Sequence, residues 1–179
     1  IGDNVITDSK YCVLMSSSYG GRVTIKGEGT LTLNTGSCGI NAGLTSGIRN
    51  NDVVIEGNVK VTINATRDVA NESVCGIVAE NVTIQGNASV DIIAKNTNNE
   101  TASNWVKGIF ADNSVTINTN GTINIDVSEA GGDNAYSYGI HPMNTANCTK
   151  VGNMTVKWKA HKDNSDYGSP ILKGSFSDK

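Results

Sequence analysis

Aromatic side chains are the residues of this sequence best suited to hold a ligand. They are scarce, with two tryptophans, five tyrosines and two phenylalanines, yet several fall at equivalent places of a repeat. Trp105 and Tyr136 each lie three residues before a Gly-Ile pair, so we expect their rings to be neighbours on one flank. Flat aromatic faces with polar edges stack well on sugar rings. The predicted ligand-binding residues are Trp105, Phe110, Tyr136, Tyr138 and His141. The alternative is that Trp105 and Tyr136 fold inward and fill enlarged loops.

Catalytic constellations are weak by comparison. Asp91 and Asp126 are expected to project outward about one coil apart, and a carboxylate pair could hydrolyse a glycosidic bond at a suitable separation. Two solvated surface acids are the better interpretation. A lyase would need a basic residue beside a carboxylate cluster, and no acidic ladder accompanies the three arginines. His141 and His161 have no evident partner for a nucleophilic triad. The sequence therefore predicts a non-catalytic protein.

Four cysteines could serve as ligands or form disulfides. None belongs to a CxxC pair, and only two histidines accompany them, so a zinc site is not expected. Cys12, Cys38 and Cys75 each lie two residues before an aliphatic residue. This spacing predicts an inward ladder of neighbouring thiols. Free buried thiols are the preferred interpretation, and disulfides between stacked neighbours remain the alternative. The four are Cys12, Cys38, Cys75 and Cys148.

The elements that would position these residues follow from an internal repeat. Five segments share a Val-Thr-Ile-like core and predict the first strand of each coil: residues 23–25, 53–55, 82–84, 115–117 and 154–156. Their starts are 30, 29, 33 and 39 residues apart. A second strand is predicted at residues 31–33, 61–63, 90–92 and 123–125. A Gly-Ile pair marks the third strand at 39–40, 76–77, 108–109 and 139–140, and an extra pair at 47–48 leaves the register there open.

Apolar and polar residues alternate within each predicted strand, as a half-buried β-strand requires. Isoleucine and valine number 17 each, against 5 leucines, which favours β-structure. Asparagine recurs before the first strand, at Asn51, Asn81, Asn113 and Asn153, and predicts an asparagine ladder in a tight turn.

Three short strands in about 30 residues predict an all-β protein with a parallel β-helix fold, a single-chain solenoid of about five coils. A β-sandwich would show tight hairpins, and a propeller would need four strands per blade. Parallel crossovers are nearly always right-handed. We expect one domain over 1–179, with a cap or partial coil at 1–20, repeats at 21–156 and a cap or irregular coil at 157–179. Trp158 is expected to replace the glycine of earlier coils.

Composition excludes several function classes. A net charge of −3 and a pI near 5.3 argue against nucleic acid as a partner. No apolar run approaches the ~20 residues of a membrane span, so no membrane insertion is expected. The chain begins at Ile1 without a signal segment, and we expect it to be part of a larger protein.

The motif G-I-V-A-E-N-V-T-I-Q-G at residues 76–86 resembles the bacterial secreted carbohydrate-binding domain family. That resemblance, which covers residues 20–156, implies a right-handed β-helix similar to pectate lyases. It also implies plant-wall polysaccharide as the partner and an extracellular or cell-surface location. No cofactor is predicted from the residues themselves, and the resemblance makes calcium the one candidate. The family often carries aspartates just before the Gly-Ile pair, where this chain has Ser37-Cys38, Val74-Cys75, Val106-Lys107 and Ser137-Tyr138.

Three functions are therefore kept side by side. The first is a non-catalytic polysaccharide-binding module of a secreted or cell-surface bacterial protein. The second is a structural spacer or adhesin segment of a larger surface protein. The third is a polysaccharide lyase-like enzyme.

Overall fold

The protein folds as a parallel β-helix, as the repeat predicts. The computed structural model describes residues 3–8, 10, 14–15, 21–43, 51–99, 104–132, 135–149, 153–159, 168–171 and 175–177. All strand pairs among these residues are parallel, and the stacked coils form about four turns. The strands are β1 (Asn4–Asp8), β2 (Leu14–Met15), β3 (Val23–Thr35), β4 (Cys38–Asn41), β5 (Asp52–Arg67), β6 (Ser73–Gly86), β7 (Ser89–Asn96), β8 (Trp105–Thr119), β9 (Ile123–Val127), β10 (Tyr136–Pro142), β11 (Thr145–Thr149), β12 (Met154–Trp158), β13 (Gly168–Ile171) and β14 (Ser175–Ser177).

The strands form three faces, because β3, β5, β6 and β8 are long enough to contribute to two faces each. The first sheet stacks the N-terminal parts of β3 and β5, the C-terminal parts of β6 and β8, and then β11 and β14. The second sheet stacks β1, the C-terminal parts of β3 and β5, and then β7, β9 and β12. The third sheet stacks β2, β4, the N-terminal parts of β6 and β8, and then β10 and β13.

Three aliphatic ladders, one from each sheet, fill the core. Each ladder places one residue per coil in register above the next, and its members are buried at 9% exposure or less. Like side chains about 4.8 Å apart pack continuously along the axis, so every coil covers its neighbour. The ladders are Ile25, Ile55, Ile84 and Ile117; Leu33, Ile63, Ile92 and Ile125; and Ile40, Ile77, Ile109 and Ile140.

The turn between the first and second sheets depends on glycine. Gly57 has a φ of 90°, in the left-handed region that side chains rarely adopt. A Cβ there would also lie 2.8 Å from the carbonyl oxygen of Gly27 in the preceding coil. The Gly27–Gly57 link is therefore both a sharp turn and a close approach of two backbones.

The prediction that residues 154–156 form the first strand of a fifth coil was wrong. Residues 154–156 belong to the second sheet, where Met154 pairs with Ile123. In the first sheet the strand that follows Val115 is β11, where Ala146 takes the in-register place. Trp158 accordingly pairs with Val127, and not with the turn glycines. A small alanine satisfies the pairing, so the aliphatic pattern that marks the other coils is missing there. Gly47, Ile48, His161 and Cys12 lie outside the described residues.

The predicted asparagine ladder exists with different members. Asn81 donates to Asp52 at 3.0 Å, Asn113 to Asn81 at 2.9 Å, and Asn144 to Asn113 at 2.9 Å. Asn51 is instead buried, and Asn153 donates to the backbone of Asn120 at 3.2 Å. A second amide ladder on the adjacent turn joins Asn58, Asn87 and Asn120 at 2.9 Å per step.

Candidate functional site

The outer surface of the third sheet is set by an inward bend at each Gly-Ile pair. Ile77 is fully buried, and a Cβ on Gly76 would lie 2.5 Å from Ile92 Cγ2 in the core. Both residues of the pair therefore face the core, and the flanking residues Cys75 and Val78 face outward into a separate cluster. Repeated from coil to coil, this bend creates two outer rows: Cys38, Cys75, Lys107 and Tyr138, and Asn41, Val78, Phe110 and His141.

The five predicted binding residues come together here, and we call them the aromatic flank: Trp105, Phe110, Tyr136, Tyr138 and His141. Trp105 and Tyr136 are in register, and their rings stack with centroids 4.3 Å apart and planes 15° apart. Phe110 and His141 are also in register, with ring centroids 5.2 Å apart. Tyr138 lies between these two pairs, and its ring centroid is 4.6 Å from that of His141. The equivalence inferred from the repeat is thus confirmed for both ring pairs.

The members of the aromatic flank differ in accessibility. Tyr138 and His141 keep 4% and 8% of their surface exposed, although they lie outside the main core. Trp105, Phe110 and Tyr136 are half-buried. Tyr138 and His141 are thus placed to support the other rings, and a ligand would meet mainly Trp105, Phe110 and Tyr136.

Lys107 is a member of this cluster that sequence reasoning did not select. Its Nζ lies 3.7 Å from the centroid of the Phe110 ring and 4.8 Å from that of Trp105, within the range of cation–π attraction. Burial lowers the pKa of the Lys107 ammonium, and the neighbouring Cys75 only partly opposes this shift. The signal in the sequence was a lysine at a repeat position that holds cysteine or tyrosine in other coils.

The thiols behave as predicted in one respect and differ in another. Cys38 and Cys75 are buried and in register, and neither forms a disulfide. The expectation that they point into the core was wrong, because the bend at the Gly-Ile pair turns them outward, where they pack with Val78 and Phe110. Cys148 lies on β11, but its side chain is outside the described part of the structure.

A second feature lies on the outer face of the second sheet. A shallow groove of about 460 Å³ crosses β5, β7, β9 and β12, and we call it the second-sheet groove. Asp91 accepts from Lys60 at 2.8 Å and from Asn124 at 2.7 Å. Asp126 pairs with Lys157 at 3.5 Å and accepts from the Ser128 hydroxyl at 2.6 Å. The residues that line the second-sheet groove include Thr62, Asp91, Ile93, Asn124, Asp126, Thr155 and Lys157.

The two carboxylates of the groove are poorly suited to glycoside hydrolysis. Burial acts to raise the pKa of Asp91, but the hydrogen bonds from Lys60 and Asn124 outweigh it and leave that pKa lowered. Burial also acts to raise the pKa of Asp126. The contacts with Ser128 and Lys157 outweigh it, so the pKa of Asp126 is lowered as well. A hydrolase needs one carboxyl group to hold a proton and donate it. Both groups are instead ionised at neutral pH.

The two described arginines each form an ion pair with an acidic residue. Arg22 pairs with Asp52 at 3.1 Å and Arg67 with Glu72 at 3.6 Å, so both described arginines are tied to single carboxylates. Within the described ranges, no group of three or more His, Cys, Asp or Glu side chains could hold a metal ion. In the same part of the chain, no helix is long and apolar enough to cross a membrane.

The stacked coils and parallel registers make this chain a parallel β-helix protein. Comparisons with protein-family models, with curated proteins and with solved structures found no match. The resemblance to a carbohydrate-binding family therefore stays a prediction. The functional proposal rests on the aromatic flank.

Proposed function

We propose that this chain is a non-catalytic polysaccharide-binding module of a secreted or cell-surface protein, with the aromatic flank as its binding face. The observation that carries the proposal is the gathering of three half-buried rings, Trp105, Tyr136 and Phe110, on one side of two consecutive coils. Four of the nine aromatic residues of the chain belong to this flank, and this local concentration supports a role in binding.

The chemistry of the flank suits a sugar chain. Partly accessible rings give an apolar surface for the C–H faces of a pyranose, while the tyrosine hydroxyl and indole N–H can reach its hydroxyl groups. The coil spacing of about 4.8 Å repeats these groups along the axis, as a polymer of identical units requires. The rigid stack also holds the rings in place before binding, which reduces the entropy lost on association.

The test is a pull-down on insoluble and immobilised polysaccharides, with cellulose and polygalacturonate among them, in the presence and absence of calcium. We expect retention by one polymer and weaker retention of Trp105→Ala. The matched control is Trp158→Ala, which removes the other tryptophan of the chain, from β12 in the second sheet. Retention that is undiminished in Trp105→Ala would refute the aromatic flank as the binding face.

A structural spacer or adhesin segment is the second candidate, and it is favoured by the burial of Tyr138 and His141 and by the face-to-face stacking of Trp105 on Tyr136. Fluorescence distinguishes the two functions, because Trp158→Phe leaves Trp105 as the sole tryptophan. Protection of Trp105 from acrylamide quenching by a polysaccharide would support the binding module, and unchanged quenching with every polymer would support the spacer. A rise in ultraviolet absorbance during incubation with a pectic substrate would instead indicate a lyase.

A further inference from the structure

We propose that the second-sheet groove is a second binding site, which takes an uncharged polysaccharide chain laid along the solenoid axis. This inference rests on the proposed function, since it assumes a polysaccharide ligand, but it uses a different face of the molecule. It also names the class of polymer, which the aromatic flank does not.

An exposed isoleucine, Ile93, lines the second-sheet groove. Ile93 points outward from β7 and keeps 46% of its surface exposed. Its in-register neighbours are Asn64 on one side and Asp126 on the other. On the preceding coils Asn64 donates to Asn34 at 2.9 Å, and Ile93 interrupts this amide row. The isoleucine therefore replaces a hydrogen-bonding side chain by an apolar surface, and its burial under the C–H face of a sugar is favourable.

Hydrogen-bonding groups line up beside Ile93 at one per coil. Thr62, Asp91, Asn124 and Thr155 form a single row in register across β5, β7, β9 and β12. Threonine hydroxyls and asparagine amides both donate and accept, so they match sugar hydroxyls without demanding one orientation. A row with a step of about 4.8 Å offers each successive sugar a similar set of partners.

The charges of the groove cancel in pairs. Lys60 neutralises Asp91 at 2.8 Å, and Lys157 neutralises Asp126 at 3.5 Å. Both carboxylates have lowered pKa values from these and neighbouring contacts, against the opposing effect of burial, so the pairs stay charged and matched at neutral pH. A polyuronate would meet two fixed carboxylates, and a polyamine such as chitosan would meet two ammonium groups. An uncharged chain avoids both repulsions.

The test is affinity electrophoresis of the whole chain in native gels that contain soluble polysaccharides. The uncharged probes are hydroxyethyl cellulose, mixed-linkage β-glucan and galactomannan, and the charged probes are polygalacturonate and chitosan. The variant is Ile93→Asn, which places in β7 the residue that the preceding coil already carries at Asn64. The control is Val69→Asn, at another apolar residue with 44% exposure that does not line the groove. Ile93→Thr serves as a second variant that keeps the β-branched shape.

We expect at least one uncharged polymer to retard the protein. The affinity for that polymer should fall about tenfold in Ile93→Asn, which corresponds to 1.4 kcal/mol. It should be unchanged in Val69→Asn. Retardation that survives both Ile93 variants but is lost in Trp105→Ala would overturn the groove and leave the proposed function standing. Stronger retardation by polygalacturonate or chitosan that is weakened in Ile93→Asn would overturn the uncharged class. No retardation by any polymer would overturn the groove and the proposed function together.

Discussion

Gly76→Ala tests the bend that turns the outer rows of the third sheet toward solvent. A Cβ at this position would lie 2.5 Å from Ile92 Cγ2, 3.1 Å from Ile92 Cδ1 and 2.6 Å from the carbonyl oxygen of Gly108. The isoleucine is fully packed in its ladder. The carbonyl belongs to the neighbouring coil, whose residues on either side are held in register with those of β6. Neither neighbour can retreat without disturbing the stack.

The size of the effect follows from those contacts. Inserting a methyl group into a packed core costs roughly 1–3 kcal/mol, and the backbone contact places this site at the upper end, about 3 kcal/mol. For a chain of this length that corresponds to a fall in Tm of about 6–12 °C. Gly39 and Gly108, which face Ile63 and Ile125 in the same way, should respond similarly to alanine.

Urea unfolding followed by circular dichroism would measure the change as a shift in midpoint at constant m-value. The control is Gln85→Ala, in the same strand but exposed, which should stay within about 0.5 kcal/mol of the wild type. A double-mutant cycle with Ile92→Ala should give a coupling of at least roughly 0.5 kcal/mol, because the added methyl group and the removed side chain share one space. A free energy of unfolding for Gly76→Ala within about 0.5 kcal/mol of the wild type would refute the inward orientation of the glycine.

The remaining predictions concern charge. Burial lowers the pKa of the Lys107 ammonium in the folded protein, so the Lys107 side chain binds a proton more tightly in the unfolded chain. The free energy of unfolding therefore rises as the pH approaches the ordinary lysine pKa of about 10.4. Lys107→Met should therefore be more stable than the wild type at pH 7. Urea midpoints should show that advantage shrinking as the pH rises toward about 10.4; a constant difference would contradict the burial argument. Asp91 has a lowered pKa because the hydrogen bonds from Lys60 and Asn124 outweigh its burial, so its contribution to stability is present above about pH 4 and lost as the pH falls further. Lys60→Met should raise the pKa of the Asp91 carboxyl, which side-chain NMR titration can follow, and should flatten the loss of stability below pH 4; an unchanged titration curve would show that the ion pair has no such effect.

Much of the fold could be predicted because its signals are local. Alternation within a strand depends only on adjacent residues, so the Val-Thr-Ile strands and their buried isoleucines were identified correctly through β8. The Trp105–Tyr136 and Phe110–His141 neighbours followed from the same repeat, because equal offsets from a Gly-Ile pair become equal heights in stacked coils.

The errors arose where the local signal was degenerate. Residues 154–156 have the same alternation as a first strand, and only pairing with β9 assigns them to the second sheet. The inward glycine could not be predicted either, since a residue without a side chain carries no apolar signal. That glycine breaks the strict alternation and so reversed the expected direction of Cys38 and Cys75.

The sequence by itself determined that this chain is a β-solenoid, because period-2 alternation and a repeat of about 30 residues allow stacking coils to bury each other's apolar faces. Only the tertiary structure decided which rings remain accessible, that Lys107 lies against Phe110 and Trp105, and that Ile93 lines a groove whose charges are paired. These features depend on contacts between coils about 30 residues apart. Such contacts are set by the register of the whole stack, which no single segment of the sequence specifies.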